Sequence, residues 1–202
     1  MKLYYSPGAC SLSPHIALRE AGFTFDLVKV DTKTKTIEGG GDFLAINPKG
    51  YVPALQLDDG SVLTEGPVIT QYIADQKPAA NLAPAAGTMA RYRLQEWLGF
   101  LNSEIHKTFS PLFRPTTPDV YKEIVRENLG NRFNYLSGQL KGKSWLTGDT
   151  FTIADGYLFT LLGWGKWTGV DIAAWPVLAD YVARVAARPA VQAALKAEGL
   201  VK

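Results

Sequence analysis

A single cysteine stands where the sequence predicts that a short strand turns into a helix. Cys10 follows the strand-like residues 2–5 and the pair Pro7-Gly8, and it precedes a helical pattern that opens with Ser11. A helix N-terminus presents unpaired N–H groups and a positive dipole, which favour a thiolate or another sulfur anion. Two interpretations fit this position: sulfur chemistry at the turn, or an ordinary buried thiol, because free cysteine packs as a small hydrophobe.

Two further loops carry groups that could bind a ligand. Val52-Pro53 lies where a strand should continue, and because proline cannot donate to a sheet ladder we expect a turn, with a cis peptide as one form. That turn would leave the backbone N–H and C=O of Val52 facing outward to pair with an extended peptide. Glu65-Gly66 opens another helix, whose N–H groups suit a carboxylate while Glu65 suits an ammonium group. The alternatives are a loop proline without a ligand and a glutamate that only complements the helix dipole.

His106 lies on a predicted long helix in the second half of the chain. Gly99, Asn102, Ser103 and His106 recur at steps of three and four residues, on the side away from an apolar stripe. If the first half packs against this side, His106 approaches Cys10. Otherwise His106 is a surface or capping residue, as a lone helical histidine often is.

The remaining charged, histidine and glycine residues are candidates for a carboxylate site, a metal site and a phosphate loop. Lys35 and Lys107 could bind a second carboxylate, although surface lysines are common, and His15 is interpreted as structural. The single cysteine and the histidines lack metal-ligand spacing. The run Gly39-Gly40-Gly41 lacks the Lys-Ser/Thr pair of a phosphate loop.

Composition excludes several classes of function. The 202 residues are 47% hydrophobic and 20% charged, with a net charge of +2, and the basic residues are interleaved with acids. We therefore expect no nucleic-acid partner. No apolar run approaches the roughly 20 residues that cross a bilayer, so no membrane partner is expected. One cysteine cannot form an internal disulfide, and the first residues do not read as a signal peptide, so we expect a cytoplasmic protein.

The pattern of elements predicts two domains, residues 1–80 and 87–202. The first alternates strand and helix signals in the order β-α-β, then β-β-α, while the second shows helical periodicity alone. Strands are predicted at 2–5, 25–30, 51–57 and 61–64, and helices at 11–20, from Gly66, along the stripe Leu94, Trp97, Leu98, Leu101 and Ile105, and at 119–140, 152–164 and 177–187. Thr152-x-x-Asp155 predicts a capping box that starts a buried helix and has no catalytic role.

Together these segments resemble a bacterial glutathione transferase of the beta class, over nearly the whole chain. The segments that carry the resemblance are Tyr5-Ser6-Pro7-Gly8-Ala9-Cys10-Ser11, Asn47-Pro48-Lys49-Gly50-Tyr51-Val52-Pro53-Ala54-Leu55, Leu63-Thr64-Glu65-Gly66, Glu104-Ile105-His106-Lys107 and Phe151-Thr152-Ile153-Ala154-Asp155. The resemblance implies an α/β thioredoxin-like N-terminal domain plus an all-α C-terminal domain. It also implies a homodimer that binds glutathione between its domains and acts without a metal.

The resemblance also implies roles for individual residues. The implied catalytic residues are Cys10, His106, Tyr5 and Ser11, and the implied glutathione contacts are Lys35, Val52, Pro53, Glu65, Gly66, Ser103, Glu104, His106 and Lys107. Ser103 and Glu104 are expected to act across the dimer interface, and His106 to lie near the glutathione sulfur. Gly99 departs from the asparagine that the family often has, and a glycine there opens room for a bulkier electrophile.

The mechanism that follows is conjugation of the glutathione thiolate to a hydrophobic electrophile. A shift of about two units from a thiol pKa near 8.5 ionises most of the thiol at pH 7, and Tyr5 and Ser11 are possible hydrogen-bond donors. Cys10 either donates a hydrogen bond to the glutathione sulfur or forms a mixed disulfide with it. The candidate walls of an apolar pocket are Phe109, Pro111, Leu112, Phe113, Tyr157, Trp164 and Trp167.

Two other functions are compatible with the sequence. A glutathione-dependent thiol oxidoreductase or reductive dehalogenase would use the same fold with Cys10 as the nucleophile. A non-catalytic glutathione- or protein-binding module is also compatible with this kind of fold. Retention of Cys10, Val52-Pro53, Glu65 and His106 argues against that module.

Overall fold

The computed structural model describes every residue from Met1 to Lys202. Two compact units emerge from the contacts within the chain, one of residues 1–83 and 187–202 and one of residues 84–186. The last sixteen residues therefore belong to the first unit, whereas the sequence pattern placed them with the helical domain. The predicted domains 1–80 and 87–202 stay a prediction, because compactness does not test which segment folds independently.

The first unit contains a mixed five-stranded sheet in the order β3-β2-β1-β4-β5. Its strands are β1 (Lys2–Tyr5), β2 (Asp26–Asp31), β3 (Thr36–Ile37), β4 (Ala54–Gln56) and β5 (Val62–Thr64). β1 runs parallel to β2 and antiparallel to β4, while the β2-β3 and β4-β5 pairs are antiparallel. The predicted hairpin is confirmed, with Ala54 opposite Thr64. The two-residue strand β3 was not predicted, since it falls in a stretch rich in Lys, Thr and Gly.

Three helices accompany this sheet: α1 (Leu12–Glu20), α2 (Gly66–Gln76) and, at the C-terminus, the helix that we call α9 (Pro189–Ala197). Side chains of β1 alternate between faces, so Tyr4 packs with Phe43 and Val52 while Leu3 is fully buried on the opposite face. Helix α1 packs against both α2 and α9. The sequence analysis delimited no separate C-terminal helix.

The second unit is entirely helical. Its helices are α3 (Met89–Phe100), a π-helical segment (Leu101–His106), α4 (Lys107–Phe109), α5 (Asp119–Leu140), α6 (Ile153–Gly163), α7 (Gly165–Thr168) and α8 (Pro176–Ala186). The predicted bounds of α5 match the structure, and those of α6 and α8 agree within a residue. None of the helices has both the length and the apolar character that a membrane crossing requires.

Helix α6 forms the interior of the second unit. All residues from Ile153 to Leu162 are buried, as expected for a helix that is surrounded by other helices. The apolar stripe predicted between residues 94 and 105 lies on α3 and the π-helical segment. It is buried at Leu94, Leu98, Leu101 and Ile105, so the prediction is confirmed at those positions. Trp97 is half-buried, and its ring contacts Phe100 and Tyr135.

The predicted capping box at the start of α6 is confirmed and is extended by a wider network. The Asp155 carboxylate accepts hydrogen bonds from the Thr152 N–H at 2.8 Å, the Leu146 N–H at 2.9 Å and the Tyr181 hydroxyl at 2.8 Å. The Asp155 side chain is buried together with that of Tyr181, which belongs to α8. One carboxylate therefore fixes the start of α6, the preceding loop and a neighbouring helix.

Replacing this carboxylate should destabilise the protein. Asp155→Ala leaves two backbone N–H groups and the Tyr181 hydroxyl without their acceptor, so we expect the free energy of unfolding to fall by about 3 kcal/mol or more. Urea unfolding followed by circular dichroism measures this loss. The control Asp180→Ala removes an exposed carboxylate of α8 and should change stability by less than about 0.5 kcal/mol. Equal effects of the two substitutions would contradict the structural role of Asp155.

Candidate functional site

The turn that carries Cys10 is closed by a serine hydroxyl. Ser11 Oγ accepts from the Ser6 N–H at 3.2 Å and donates to the Ser6 carbonyl at 3.3 Å. Ser11 is also the N-cap residue of α1 and is fully buried. Its hydroxyl proton is therefore used within the turn, which competes with the implied role of Ser11 as a donor to a ligand.

The Cys10 sulfur faces the cis Val52-Pro53 peptide. Cys10 Sγ donates to the Val52 carbonyl at 3.2 Å, and the Val52-Pro53 bond is cis, as the sequence analysis allowed. The Val52 carbonyl, which we expected to face outward toward an extended peptide, accepts the thiol proton in this structure. The fold nevertheless brings together two candidate residues that lie 42 positions apart.

Burial outweighs the helix N-terminus in setting the protonation state of Cys10. The pKa of the Cys10 thiol is raised to about 12, mainly by burial and in addition by the negative charge of Glu65, although the backbone N–H groups of Cys10 and Ser11 lower it. The N-terminal effect predicted from the sequence is present but is the smaller contribution. The raised pKa favours the neutral thiol, and hence the alternative in which Cys10 donates a hydrogen bond.

Glu65 caps α2 in a left-handed backbone conformation. Its φ angle is 70°, which is uncommon for a residue other than glycine, and its carbonyl accepts from the N–H groups of Val68 and Ile69. The Glu65 carboxylate forms an ion pair with Lys49, whose ammonium group also donates to Thr64 Oγ1 at 2.9 Å. Both charged side chains are more than half exposed, so water and ligands reach the pair. Gly66 has room for a side chain, because a Cβ there would meet the protein no closer than 3.7 Å.

Lys35 lies at the edge of the sheet opposite to Glu65, and its position is set by its backbone conformation and by contacts of its side chain. Its φ angle is 61°, and its ammonium group donates to the Gly50 carbonyl at 2.8 Å and lies 5.6 Å from the centre of the Tyr51 ring. Tyr51 is 71% exposed. An ammonium group in this position can exchange the carbonyl for a carboxylate of a ligand.

A glutamate that the sequence analysis did not single out supports the Cys10 turn. Glu198, which follows α9, accepts from the Gly8 N–H at 2.9 Å and from His15 Nδ1 at 2.8 Å, and the side chains of Glu198 and His15 are fully buried. His15 Nε2 accepts from Arg19, so Nδ1 carries the proton that Glu198 receives. The structural interpretation of His15 is consistent with this chain of contacts, but no local sequence signal pairs α1 with residue 198.

Tyr5 is a buried strand residue beside this network. It is 8% exposed, and its ring lies 6.4 Å from that of His15. Burial raises the pKa of Tyr5 above 10, and the charge of Glu198 adds to the rise. Tyr5 therefore keeps its hydroxyl proton, as the implied role of a hydrogen-bond donor requires.

In the second unit, His106 is part of a hydrogen-bonded group that joins the π-helical segment to α6. His106 Nδ1 lies 2.7 Å from the Tyr157 hydroxyl, which donates to Asn102 Oδ1 at 3.1 Å. The Trp164 ring meets the imidazole edge to face at 4.9 Å. The histidine is half-buried and its ring orientation is fixed from two sides.

The neighbours of His106 on the same segment differ in their surroundings. Ser103 is exposed and donates to the Gly99 carbonyl at 3.1 Å, and Lys107 is exposed. Glu104 forms an ion pair within the second unit with Arg132 of α5, whose Nη2 and Nε both donate to Glu104 Oε2, at 2.8 and 2.9 Å. Its implied contact with glutathione would have to coexist with this ion pair or replace it.

Three of the predicted walls of an apolar pocket, Phe109, Phe113 and Trp164, form one aromatic cluster. The Trp164 ring packs edge to face on Phe109 at 5.6 Å and on Phe113 at 5.4 Å. Phe109, Tyr157 and Trp164 are buried, whereas Phe113 is 47% and Trp167 50% exposed. The cluster thus has a buried interior and an accessible apolar margin.

Within the first unit the structure joins Cys10 to Val52, and Glu65 to Lys49, and within the second it joins His106 to Tyr157 and Asn102. No group of three or more His, Cys, Asp or Glu side chains is arranged to hold a metal ion. The first unit offers a thiol donor and exchangeable ionic groups, which suit a small peptide, and the second unit offers an aromatic surface, which suits an apolar compound.

Comparison with known proteins agrees with these features. Residues 8–76 match the description "Glutathione S-transferase, N-terminal domain", and residues 100–189 match "Glutathione S-transferase, C-terminal domain". The chain is 50% identical to glutathione S-transferase GstA of Escherichia coli O157:H7, over 99% of this chain and 100% of that protein.

Two solved structures are similar along the whole chain. A sphingomonad glutathione S-transferase complexed with glutathione is 54% identical with a TM-score of 0.96, and each chain is covered completely. A beta-class glutathione S-transferase of Sphingomonas chungbukensis is 55% identical with a TM-score of 0.97, again with complete coverage of both chains.

The buried glutamate can be tested by comparing three substitutions. Glu198→Ala removes the carboxylate that accepts from His15 Nδ1 and from the Gly8 N–H, and we expect the free energy of unfolding to fall by about 3 kcal/mol. Glu198→Gln keeps the size and one acceptor oxygen and should cost less, while Lys196→Ala alters an exposed side chain of α9 and should cost less than about 0.5 kcal/mol. Urea unfolding measures all three, and a loss for Glu198→Ala no larger than that for Lys196→Ala would contradict the network.

The raised thiol pKa predicts how Cys10 reacts with iodoacetamide. Because the thiolate is the nucleophile, alkylation of the folded protein should be slow at pH 8 and should keep rising about tenfold per pH unit beyond pH 9. In urea the same thiol should behave as an ordinary cysteine, and its rate should level off above a pKa near 8.5. Intact mass measured over time gives both rates. A plateau below pH 9 in the folded protein would overturn the assignment.

Proposed function

The chain belongs to the glutathione S-transferase family and is a transferase enzyme, and we propose that it conjugates the glutathione thiolate to hydrophobic electrophiles. Similarity over both halves of the chain supports the family. The observation that carries the proposed reaction is the protonated Cys10 thiol, which bonds to Val52 and can serve as a hydrogen-bond donor. A neutral thiol of this kind favours glutathione itself as the nucleophile.

We propose that glutathione binds through exchangeable contacts on the first unit. Its γ-glutamyl ammonium group replaces Lys49 at the Glu65 carboxylate, and its glycyl carboxylate binds Lys35 in place of the Gly50 carbonyl. The N–H groups at the start of α2, beside Gly66, receive the γ-glutamyl carboxylate. Its backbone pairs with Val52, next to Pro53. Ser103, Glu104 and Lys107 contribute the remaining contacts that the family resemblance implies.

The reaction requires the thiol proton to leave before carbon–sulfur bond formation. The glutathione thiol gives its proton to His106, the sulfur bonds to the electrophilic carbon, and a leaving group such as a halide departs with the electrons of its bond to that carbon. The developing thiolate receives a hydrogen bond from Tyr5 and one from Cys10, whose proton exchanges the Val52 carbonyl for the glutathione sulfur. Both donors keep their protons because burial raises their pKa. The imidazolium then releases the proton to water.

The electrophile is proposed to bind the aromatic cluster of the second unit. Its accessible margin is formed by Phe113, which packs on the buried Trp164. Flat aromatic surfaces favour planar hydrophobic substrates. Gly99, where a Cβ would meet nothing within 4 Å, leaves open space on the helix that carries His106.

We also propose a homodimer in the cytoplasm. The dimer follows from the family resemblance, in which Ser103 and Glu104 act across the interface between subunits. The cytoplasmic location follows from the chemistry of the single cysteine, since a neutral, unpaired thiol persists in a reducing compartment.

The first experiment is a glutathione titration by calorimetry, followed on the same sample by conjugation of a chromogenic aryl halide. We expect saturable binding and turnover for the unaltered protein. In Glu65→Gln the loss of a charge-assisted hydrogen bond should weaken glutathione binding about tenfold or more. Asp58→Asn removes an exposed carboxylate that pairs with the N-terminal amine, away from the proposed contacts, and should leave binding unchanged.

Cys10→Ala separates conjugation from the alternative chemistry. It should keep conjugation at a reduced rate and lose any disulfide-reductase activity. Complete loss of conjugation, together with a glutathione adduct on the unaltered protein by intact mass, would favour the thiol oxidoreductase or dehalogenase in which Cys10 is the nucleophile. No binding at millimolar glutathione would contradict the proposed function.

A further inference from the structure

The hydroxyl group of Tyr157 lies between two side chains of the π-helical segment. It donates to Asn102 Oδ1 at 3.1 Å, and it lies 2.7 Å from His106 Nδ1. A phenol has one proton, so the proton given to Asn102 is not available for the imidazole. The contact with His106 is therefore a hydrogen bond in the other direction, from an Nδ1–H to the Tyr157 oxygen.

We propose that Tyr157 and Asn102 are positioning residues that hold His106 as its Nδ1–H tautomer and so make Nε2 the proton acceptor toward the glutathione thiol. The inference rests on the proposed function, because it names the atom of His106 that acts. A neutral imidazole outside a protein favours the Nε2–H tautomer. The Asn102-Tyr157 pair reverses that preference, since an oxygen whose proton is committed elsewhere can only accept.

The position of the ring supports a single orientation. The Tyr157 and Trp164 rings meet the imidazole edge to face, at 6.0 and 4.9 Å between centroids. Tyr157 is 2% exposed, so its hydroxyl is fixed in a medium where hydrogen bonds are stronger than in water. Tyr157 belongs to α6, the innermost helix of the second unit. Packing of this helix fixes the position of the hydroxyl group that orients the imidazole.

The backbone of the segment places both partners on one face. The Lys107 N–H bonds to the Asn102 carbonyl five residues earlier, which is the π-helical pattern. Asn102 and His106 are four residues apart, and both reach the same phenol oxygen. Single π-helical turns occur frequently at functional sites.

The arrangement lets His106 accept a proton while its hydrogen bond to Tyr157 is kept. The thiol proton moves to Nε2, the ring becomes an imidazolium, and the Nδ1–H continues to donate to Tyr157. When water takes the proton from Nε2, the original tautomer is restored. In the opposite tautomer Nε2 would already carry a proton and could not receive one.

Nitrogen-15 NMR of the ligand-free protein tests the tautomer directly, because the two imidazole nitrogens of each tautomer have distinct shifts. The chain contains two histidines, and the spectrum of His106→Gln assigns the signals of the other, His15. We expect His106 to be Nδ1–H in the unaltered protein. Tyr157→Phe keeps the ring and removes the acceptor, so the Nε2–H tautomer should become the major form.

Asn102 provides a matched pair of variants at a solvent-exposed position. Asn102→Asp offers only acceptor oxygens and should preserve the Nδ1–H tautomer. Asn102→Ala frees the Tyr157 proton to rotate toward His106 Nδ1, and should convert the ring to Nε2–H. Tyr135→Phe removes a hydroxyl from a half-exposed ring on α5 and should change nothing.

Conjugation rates of the same variants then test whether the tautomer matters. We expect kcat/KM to fall about tenfold or more in Tyr157→Phe and Asn102→Ala, and to stay within about twofold of the unaltered protein in Asn102→Asp and Tyr135→Phe. An Nε2–H tautomer in the unaltered protein, or a tautomer that changes while kcat/KM does not, would overturn the proposal. Absence of glutathione binding would instead refute the proposed function, and the tautomer measured without ligand distinguishes that failure from this one.

Discussion

A polar group that leaves water must find a hydrogen-bonding partner inside the protein. In each of the two units, one buried carboxylate is the partner of several such groups. Glu198 is fully buried and accepts from His15 and from the Gly8 N–H, so it ties the C-terminal segment and α1 to the Cys10 turn. Asp155 does the same for the start of α6 and for Tyr181. Since an unpaired buried carboxylate would cost several kcal/mol, these contacts restrict the packing of each unit to one arrangement.

Burial and the need for a hydrogen-bonding partner also determine the chemistry of the Cys10 thiol. A helix N-terminus and burial act on Cys10 in opposite directions, and burial has the larger effect, which raises the pKa to about 12. The thiol proton is used in a hydrogen bond to the Val52 carbonyl. In the proposed function Cys10 is a hydrogen-bond donor and not the nucleophile, and its proton exchanges the Val52 carbonyl for the glutathione sulfur.

The ionic groups proposed to bind glutathione already have partners in the ligand-free protein. Glu65 is paired with Lys49, Lys35 donates to the Gly50 carbonyl, and Glu104 is paired with Arg132. Glutathione binding would exchange one partner for another. Each contact therefore contributes to the binding free energy only the difference between its interaction with glutathione and the interaction that it replaces. Exposed pairs contribute little by themselves, and selectivity for a peptide depends on how many such exchanges occur together.

The sequence by itself determined most of the elements, the capping box and the family, because periodicity, turn residues and motifs are local signals. It also marked Cys10, Glu65 and His106 as candidates. Only the tertiary structure decided that α9 joins the first unit, that Glu198 supports the Cys10 turn, and that Tyr157 orients His106. These outcomes depend on contacts between residues as many as 190 positions apart and on the degree of burial, and neither leaves a pattern along the chain.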